Sequence, residues 1–400
     1  MTSPPSPKDV VIVSAVRTPL CRARKGALAK LTPDTLLSAA LRGCLNISDN
    51  GTAPLIPPED VQDIYVGNVL SPASGCAGLR MAQIQCGIPS SVPFSTTNRQ
   101  CSSGLQAVAN IANAIAAGQI TIGIGAGVES MSTYPMHKIK APDVDYDAMS
   151  SCQEAMDCLT PMGVTSENVT KKYGLTRQEL DKFAVLSHAK AAKAQANGTF
   201  RDEIVPVGSV DKDDGIRAGT TMETLAKLRP VFDPENGSTT AGNASQMTDG
   251  AAAVLLMTRE EAQKRHLPIL GVWRSFAVKG CPPRIMGIGP AVAIPAALSA
   301  AGLQTSDIDV YEINEAFASQ ASWCVKELGL DENKVNPHGG AIALGHPLGA
   351  TGARQIATLL HELKRTGKRY GVVSMCIGTG MGAAAVLEAD VGASTIRSRM

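Results

Sequence analysis

The chain has 400 residues, with 37 Lys and Arg against 36 Asp and Glu, a formal charge of +1, and no long run of like charges. Such a length favours two or three domains over a single core, and the even charge excludes a basic nucleic-acid arm or an acidic tail. Ten cysteines at scattered positions, with no CxxC pair, argue against a disulfide scaffold or a zinc module.

Val10-Val11-Ile12-Val13 reads as a buried strand, and Asp34 then precedes the helical spacing of Leu36, Leu37, Ala40 and Leu41. A second strand, Ile64-Tyr65-Val66-Gly67, leads into a small-residue helix near Ala77 to Cys86, and Ser103 to Ala117 has helical periodicity. Ile120 to Gly127 alternates Ile with Gly as a strand would. Strands and helices alternating in this way predict an α/β fold with parallel sheets covered by helices. No apolar stretch reads as long enough to cross a membrane, so no membrane insertion is expected.

From about Ser130 to Gln246 charged residues, Pro and Met increase, and strand signals fade except around Glu203 to Val207. This segment reads as an inserted loop domain. It carries a helix over Arg177 to Asn197, with Thr176 as cap and Glu179 as its capping-box partner. Ala251 to Met257 returns as an apolar strand.

The second half repeats the first. Asp307-Ile308-Asp309-Val310-Tyr311 parallels Val61-Gln62-Asp63-Ile64-Tyr65, and each leads to an asparagine, Asn314 or Asn68, and then a small-residue helix. The turn and helix around Cys101 correspond to the turn and helix after His346, and Ile120 to Gly127 corresponds to Tyr370 to Met381, read as a strand with a Gly-rich return. Four matched features in order predict two similar halves facing each other.

Three glycine-shaped segments offer chemistry. Asn98-Arg99-Gln100-Cys101-Ser102-Ser103-Gly104 puts a cysteine just before a helix, where unpaired N–H groups would lower its pKa, although a cysteine is as readily a buried packing residue. Gly345-His346-Pro347 fixes a histidine in a rigid turn. It is either a loop residue or the base that a cysteine nucleophile requires. Ser374-Met375-Cys376-Ile377-Gly378-Thr379-Gly380 places a second cysteine beside glycines whose N–H groups suit an oxyanion hole, with a nucleotide-phosphate loop as the rival reading. Asn314-Glu315-Ala316-Phe317 follows a strand, where Asn314 is placed to bind a ligand, to cap a helix whose dipole favours Glu315, or to do both.

Taken together, these four segments resemble the thiolases, and more closely the degradative, peroxisomal-type 3-ketoacyl-CoA thiolases, from about Asp9 to Glu388. The resemblance implies an αβαβα five-layer sandwich of two α/β halves, with an inserted loop domain and pairing as homodimers. The N-terminal half would span 8–128, completed by about 247–268; the loop domain, covering the site and binding CoA, 129–246; the C-terminal half 269–390; and a tail 391–400. It implies thiolytic cleavage of 3-oxoacyl-CoA thioesters in fatty-acid β-oxidation, with CoA as co-substrate and no tightly bound cofactor or metal. Cys101 would be the acylated nucleophile, His346 its activator and Cys376 a second acid/base. The N–H groups of Cys101 and Gly378 would form one oxyanion hole, and His346 with a water held by Asn314 the other. Arg217, Thr224 and Ser245 match CoA-binding positions.

Met162 lies in Pro161-Met162-Gly163, where biosynthetic relatives carry His-Met-Gly, and this favours the degradative branch. The alternatives are a cytosolic biosynthetic acetyl-CoA acetyltransferase and a non-catalytic acyl-CoA or lipid-binding relative, the latter opposed by the presence of Cys101, His346 and Cys376. Ser398-Arg399-Met400 follows the small, basic, aliphatic pattern of a peroxisomal C-terminal address. Peroxisomal placement is therefore expected, with the cytoplasm as alternative.

Overall fold

Strands β1 (Val10–Arg17), β2 (Cys21–Arg22), β3 (Ile64–Gly67), β4 (Phe94–Thr97), β5 (Ile122–Ser130), β6 (Thr248–Thr258), β7 (Gly271–Gly280), β8 (Val310–Ile313), β9 (Tyr370–Ile377) and β10 (Met381–Ala389) form the framework. The principal helices are α1 (Pro33–Leu45), α2 (Cys76–Gln85), α3 (Ser103–Ala116), α4 (Met162–Tyr173), α5 (Arg177–Ala196), α6 (Gly289–Ala301), α7 (Ala318–Glu327) and α8 (Leu348–Thr366). The structure, a computed structural model, describes residues 5–50, 52–138 and 141–390, so Ser398-Arg399-Met400 lies outside the described residues.

The strands run in the order β4-β3-β5-β6-β1-β7-β10-β9-β8, with β2 beside β6. β1 and β7 share only two paired positions, Val11↔Val272 and Ile12↔Gly271, so this narrow seam joins two sheets. The two-residue period sorts side chains between layers. Ala251, Ala253, Leu255 and Met257 of β6 pack with Leu36, Leu37 and Leu41 of α1. Ala252, Val254 and Leu256 pack on the other face with Leu105 and Val108 of α3 and Ile356 and Leu360 of α8. In the second half Ala384 and Val386 of β10 face Ala293, Ile294 and Ala297 of α6. Helix, sheet, paired central helices, sheet and helix are thus the five layers.

Several expectations need correction. The sheets are mixed rather than parallel: β3–β4, β3–β5 and β8–β9 are parallel, whereas β6 and β10 pair antiparallel with their neighbours, since neither is entered by a helical crossover. Glu203 to Val207 is no strand; it contributes isolated bridges, Arg17↔Ile204 and Val207↔Val210. Tyr370 to Met381 is a strand with a Gly-rich return, and that return leads directly into a second strand, so β9 and β10 are a hairpin closed at Ile377↔Met381. Among the described residues one helical segment, Pro283–Ala301, is long and apolar enough to cross a membrane by length and composition. It lies within the second half, with Ile285, Met286, Ala293, Ile294, Ala297 and Leu298 buried.

What positions the site is the crossing of α3 and α8 between the sheets. A Cβ on Gly104 would lie 2.5 Å from the Gly349 carbonyl oxygen, and one on Gly352 would lie 2.4 Å from the Leu105 nitrogen. Only glycine permits backbones this close. The starts of both helices, and so the turns bearing Cys101 and His346, are brought together.

Candidate active site

The Cys101 turn is built before its helix. Ser103 Oγ donates to the Gln100 carbonyl at 2.6 Å and accepts from the Arg99 N–H at 2.9 Å, while the Gln100 N–H donates to Asn98 Oδ1 at 3.0 Å. Gln100 sits at φ +46°, a left-handed conformation that costs a non-glycine residue about 1–2 kcal/mol and aims the next side chain. Cys101 is half-buried and packs against Leu348, two residues beyond His346.

His346 is buried in a turn that several segments fix. Its N–H donates to Thr248 Oγ1 at 3.1 Å and to the Gln246 carbonyl at 3.2 Å. Gly345 before it has φ +105°, and a Cβ there would fall 2.2 Å from Thr248 Oγ1. The imidazole lies between Thr351 Oγ1, 2.7 Å from Nδ1, and Asn314 Nδ2, 3.3 Å from Nε2. The Asn314 amide donates to Nε2, which assigns the ring proton to Nδ1, donating to Thr351, and leaves Nε2 as the basic nitrogen. Burial first, then the positive Arg354, hold this imidazole down to about 3, so it is neutral across ordinary pH.

Asn314 therefore does not cap a helix, the alternative that its sequence position allowed: α7 begins after Phe317 and has no side-chain cap. Glu315, by contrast, is structural. Its buried carboxylate accepts from Ser187 Oγ at 2.6 Å, Asn336 Nδ2 at 2.8 Å and the Ile342 N–H at 3.2 Å, and so anchors the segment leading to His346.

Cys376 ends β9 fully buried, packed with Met286, Ala316, Met162 and Phe317, and receives the Gln320 side-chain N–H at 2.7 Å. Burial, then its neighbour Cys101, push its thiol well above the ordinary range. The lowered pKa expected for Cys101 from its place before a helix is overturned in the same way. Burial pushes the thiol up to about 11, although the N–H groups of Gly378 and of Cys101 itself face the sulfur and pull the other way. A thiol is thus the resting form, and the gathered N–H groups favour negative charge at this sulfur.

The structure brings Cys101, Gly378, Cys376, Asn314, His346 and Met162 into one region, the Met162 sulfur lying 3.6 Å from where a Gly378 Cβ would be. Ser245 joins them through its N–H, which donates to the Ala316 carbonyl at 2.9 Å. Arg217 and Thr224 are exposed. The Thr224 hydroxyl closes a capping box with Thr221, and among the described residues neither side chain hydrogen-bonds to the central group.

Sequence reasoning missed Gln320, Thr351 and Glu129. Gln320 interrupts the apolar face of α7 formed with Ala321, Cys324 and Val325, a polar residue at a core position that could have drawn notice. Glu129, fully buried, accepts the N–H groups of Val69 at 3.1 Å, Leu70 at 3.1 Å and Gly349 at 3.0 Å, clamping the start of α8 to the first half. Burial pushes its carboxyl up to about 7 against the pull of those N–H groups. The proton-linked cost of holding this group folded therefore grows as pH rises from 4.5 to 7 and is constant above, so a Glu129→Gln variant should gain on the wild type by about 3 kcal/mol over that interval. Urea unfolding of both proteins at several pH values checks this; a difference that shrinks with rising pH would refute it.

Comparison with known proteins agrees with this geometry. Residues 10–260 match the family described as thiolase, N-terminal domain, and residues 267–389 match thiolase, C-terminal domain. The peroxisomal 3-ketoacyl-CoA thiolase A of mouse is 57% identical over 397 residues, covering 96% of this chain and 91% of that protein. The dimeric peroxisomal thiolase of Saccharomyces cerevisiae superposes with TM-score 0.91 at 47% identity, over 96% of this chain and 98% of that one. The human mitochondrial 3-ketoacyl-CoA thiolase in complex with CoA superposes with TM-score 0.85 at 37% identity, over 97% and 100%. With both domains matched across nearly its whole length, the chain belongs to the thiolase family.

Proposed function

We propose that the chain cleaves 3-oxoacyl-CoA thioesters with CoA, giving acetyl-CoA and a shortened acyl-CoA, through an acyl-enzyme on Cys101. The observation that supports this reading is the close approach of the Cys101 and His346 turns at Gly104 and Gly349, with the relay Thr351–His346–Asn314 on one side and, on the other, Cys101 facing the Gly378 N–H and neighbouring Cys376. His346 Nε2 takes the Cys101 proton as the sulfur attacks the 3-oxo carbon. The C2–C3 bond breaks, leaving the acyl group on Cys101 and an acetyl-CoA enolate. The imidazolium, with Asn314, stabilises the enolate oxygen, and Cys376 gives its proton to C2. The second CoA thiol passes its proton to the Cys376 thiolate and attacks the acyl carbon. Cys101 leaves and recovers its proton from His346.

Met162, Met286, Ala316 and Phe317 form an apolar lining beside Cys376 that suits a medium or long acyl chain, and favours degradation over acetoacetyl-CoA synthesis. CoA is the co-substrate, by likeness to the human relative bound to it. Ser245 is the CoA-side residue tied most directly to the site, with Arg217 and Thr224 further contacts from the loop domain. Likeness to the dimeric yeast protein supports a homodimer. The peroxisomal name of the mouse relative supports placement in peroxisomes.

Incubation with 3-oxoacyl-CoA substrates of several lengths, acid quench and peptide mass spectrometry tests the reading. The acyl group is expected on Cys101, with 3-oxodecanoyl-CoA turned over in preference to acetoacetyl-CoA. An adduct on another cysteine would refute the Cys101 assignment, and the reverse preference would refute the degradative one.

A further inference from the structure

Cys376 is asked to lose a proton and regain one in each turnover, yet it stands in apolar surroundings of Met286, Ala316, Met162 and Phe317. A thiolate there has lost water as a partner, and something must replace it. One polar side chain reaches the sulfur: Gln320, itself 1% exposed, whose Nε2 lies 2.7 Å from Cys376 Sγ.

Gln320 is held to this task by its surroundings. It belongs to α7, the helix that follows Asn314, so one short stretch of chain serves both His346 and Cys376. The backbone at Gly287 closes over its stem, since a Cβ there would lie 2.7 Å from Gln320 Cβ. Its Oε1 is buried and has no hydrogen-bond partner among the described residues, so the amide's one strong contact is with the sulfur. A buried amide with a single bond is costly in a purely structural role.

We propose that Gln320 is the positioning residue for Cys376: its side-chain N–H orients the thiol and stabilises the thiolate whenever Cys376 has given up its proton. This rests on the reading of Cys376 as the acid/base. When the Cys376 S–H bond breaks and the proton passes to C2 of the enolate, the electron pair left on sulfur accepts the Gln320 N–H. When CoA S–H returns a proton, the same bond weakens, and nothing is oxidised or reduced. Burial and the neighbouring Cys101 push the Cys376 thiol up, and the Gln320 bond opposes them. The other titratable groups acting on Cys376 are Cys324 and Cys281, both thiols, so among the described residues no carboxylate or ammonium group substitutes for the amide.

The test is exchange of the acetyl-CoA C2 protons with deuterium in heavy water, followed by NMR across pH on the full chain. Gln320→Met, which keeps the volume and removes the donor, is expected to slow exchange and thiolysis roughly tenfold or more, as loss of a hydrogen bond to a charged group does. The ascending limb of the exchange profile should move to higher pH by about one unit. Alkylation of Cys101 by iodoacetamide, a step that bypasses Cys376, should keep its wild-type rate. An unmoved limb with exchange within about twofold of wild type would overturn the inference.

Should Gln320→Met lose Cys101 alkylation as well, the uncharged Gln320→Leu decides: with alkylation kept, a limb at higher pH upholds the role and an unmoved one overturns it. Cys376→Ser separates the underlying reading. Exchange surviving in that variant sinks Cys376 as the acid/base. Exchange lost there but unchanged in Gln320→Met sinks only the role of Gln320.

Discussion

Replacing Cys101 with alanine will abolish the covalent intermediate and lower kcat/KM for thiolysis by roughly a hundred-thousand-fold or more, the scale on which removal of a nucleophile acts when its partners work as a unit. The fold should barely change, because Cys101 is half-buried and its turn is held by Ser103, Asn98 and Gln100 rather than by the sulfur. Acid-quenched protein should carry no acyl group, while acetyl-CoA should still bind through its remote parts, with KM nearly unchanged. Residual turnover with an acyl adduct on Cys376 would move the nucleophile to the other sulfur and reverse the assignments. The neighbouring N–H groups of Gly378 and Cys101 remain in the variant, so any remaining rate measures what they supply alone.

The layered plan could be read in advance because both halves advertise it: β-branched runs at Val10 to Val13 and Ala251 to Met257, asparagines after Tyr65 and Tyr311, and glycines at the helix starts. β7 escaped notice because Trp273, Arg274 and Lys279 break its apolar alternation; Arg274 instead reaches Glu388 on β10. The Glu203 to Val207 run has strand-forming residues, but Glu203 is taken up by a buried ion pair with Arg17 at 2.6 Å, which pins this segment to β1 without forming a ladder. Cys101, His346, Asn314 and Cys376 stand out because turns shaped by glycine and proline, or strand ends, display them.

What stayed hidden is whatever depends on distant partners. Gln320 meets Cys376 across 56 residues, and Glu129 meets Gly349 across 220, so local pattern carries no mark of either contact. The misjudged acidity of Cys101 has the same origin. The start of a helix is visible in sequence, and the burial that outweighs it is not.

His346→Ala should be the next most damaging change, lowering kcat/KM by about a thousandfold or more, since it removes both a general base and a donor to the enolate oxygen. Two readouts distinguish this from a general loss of structure. Iodoacetamide should alkylate Cys101 more slowly in the variant, because the thiol, pushed up to about 11, loses the acceptor of its proton. In the wild type the alkylation rate should show no inflection near pH 6.5, because the imidazole is held down to about 3 and does not titrate there. Stability follows with a definite sign: a lowered histidine pKa stabilises the fold above pH 6.5 and that contribution is lost as pH falls towards 3. The wild type should therefore lose stability over this interval faster than His346→Ala. Equal pH dependence of unfolding in the two proteins, together with unchanged Cys101 alkylation, would remove His346 from the role of base.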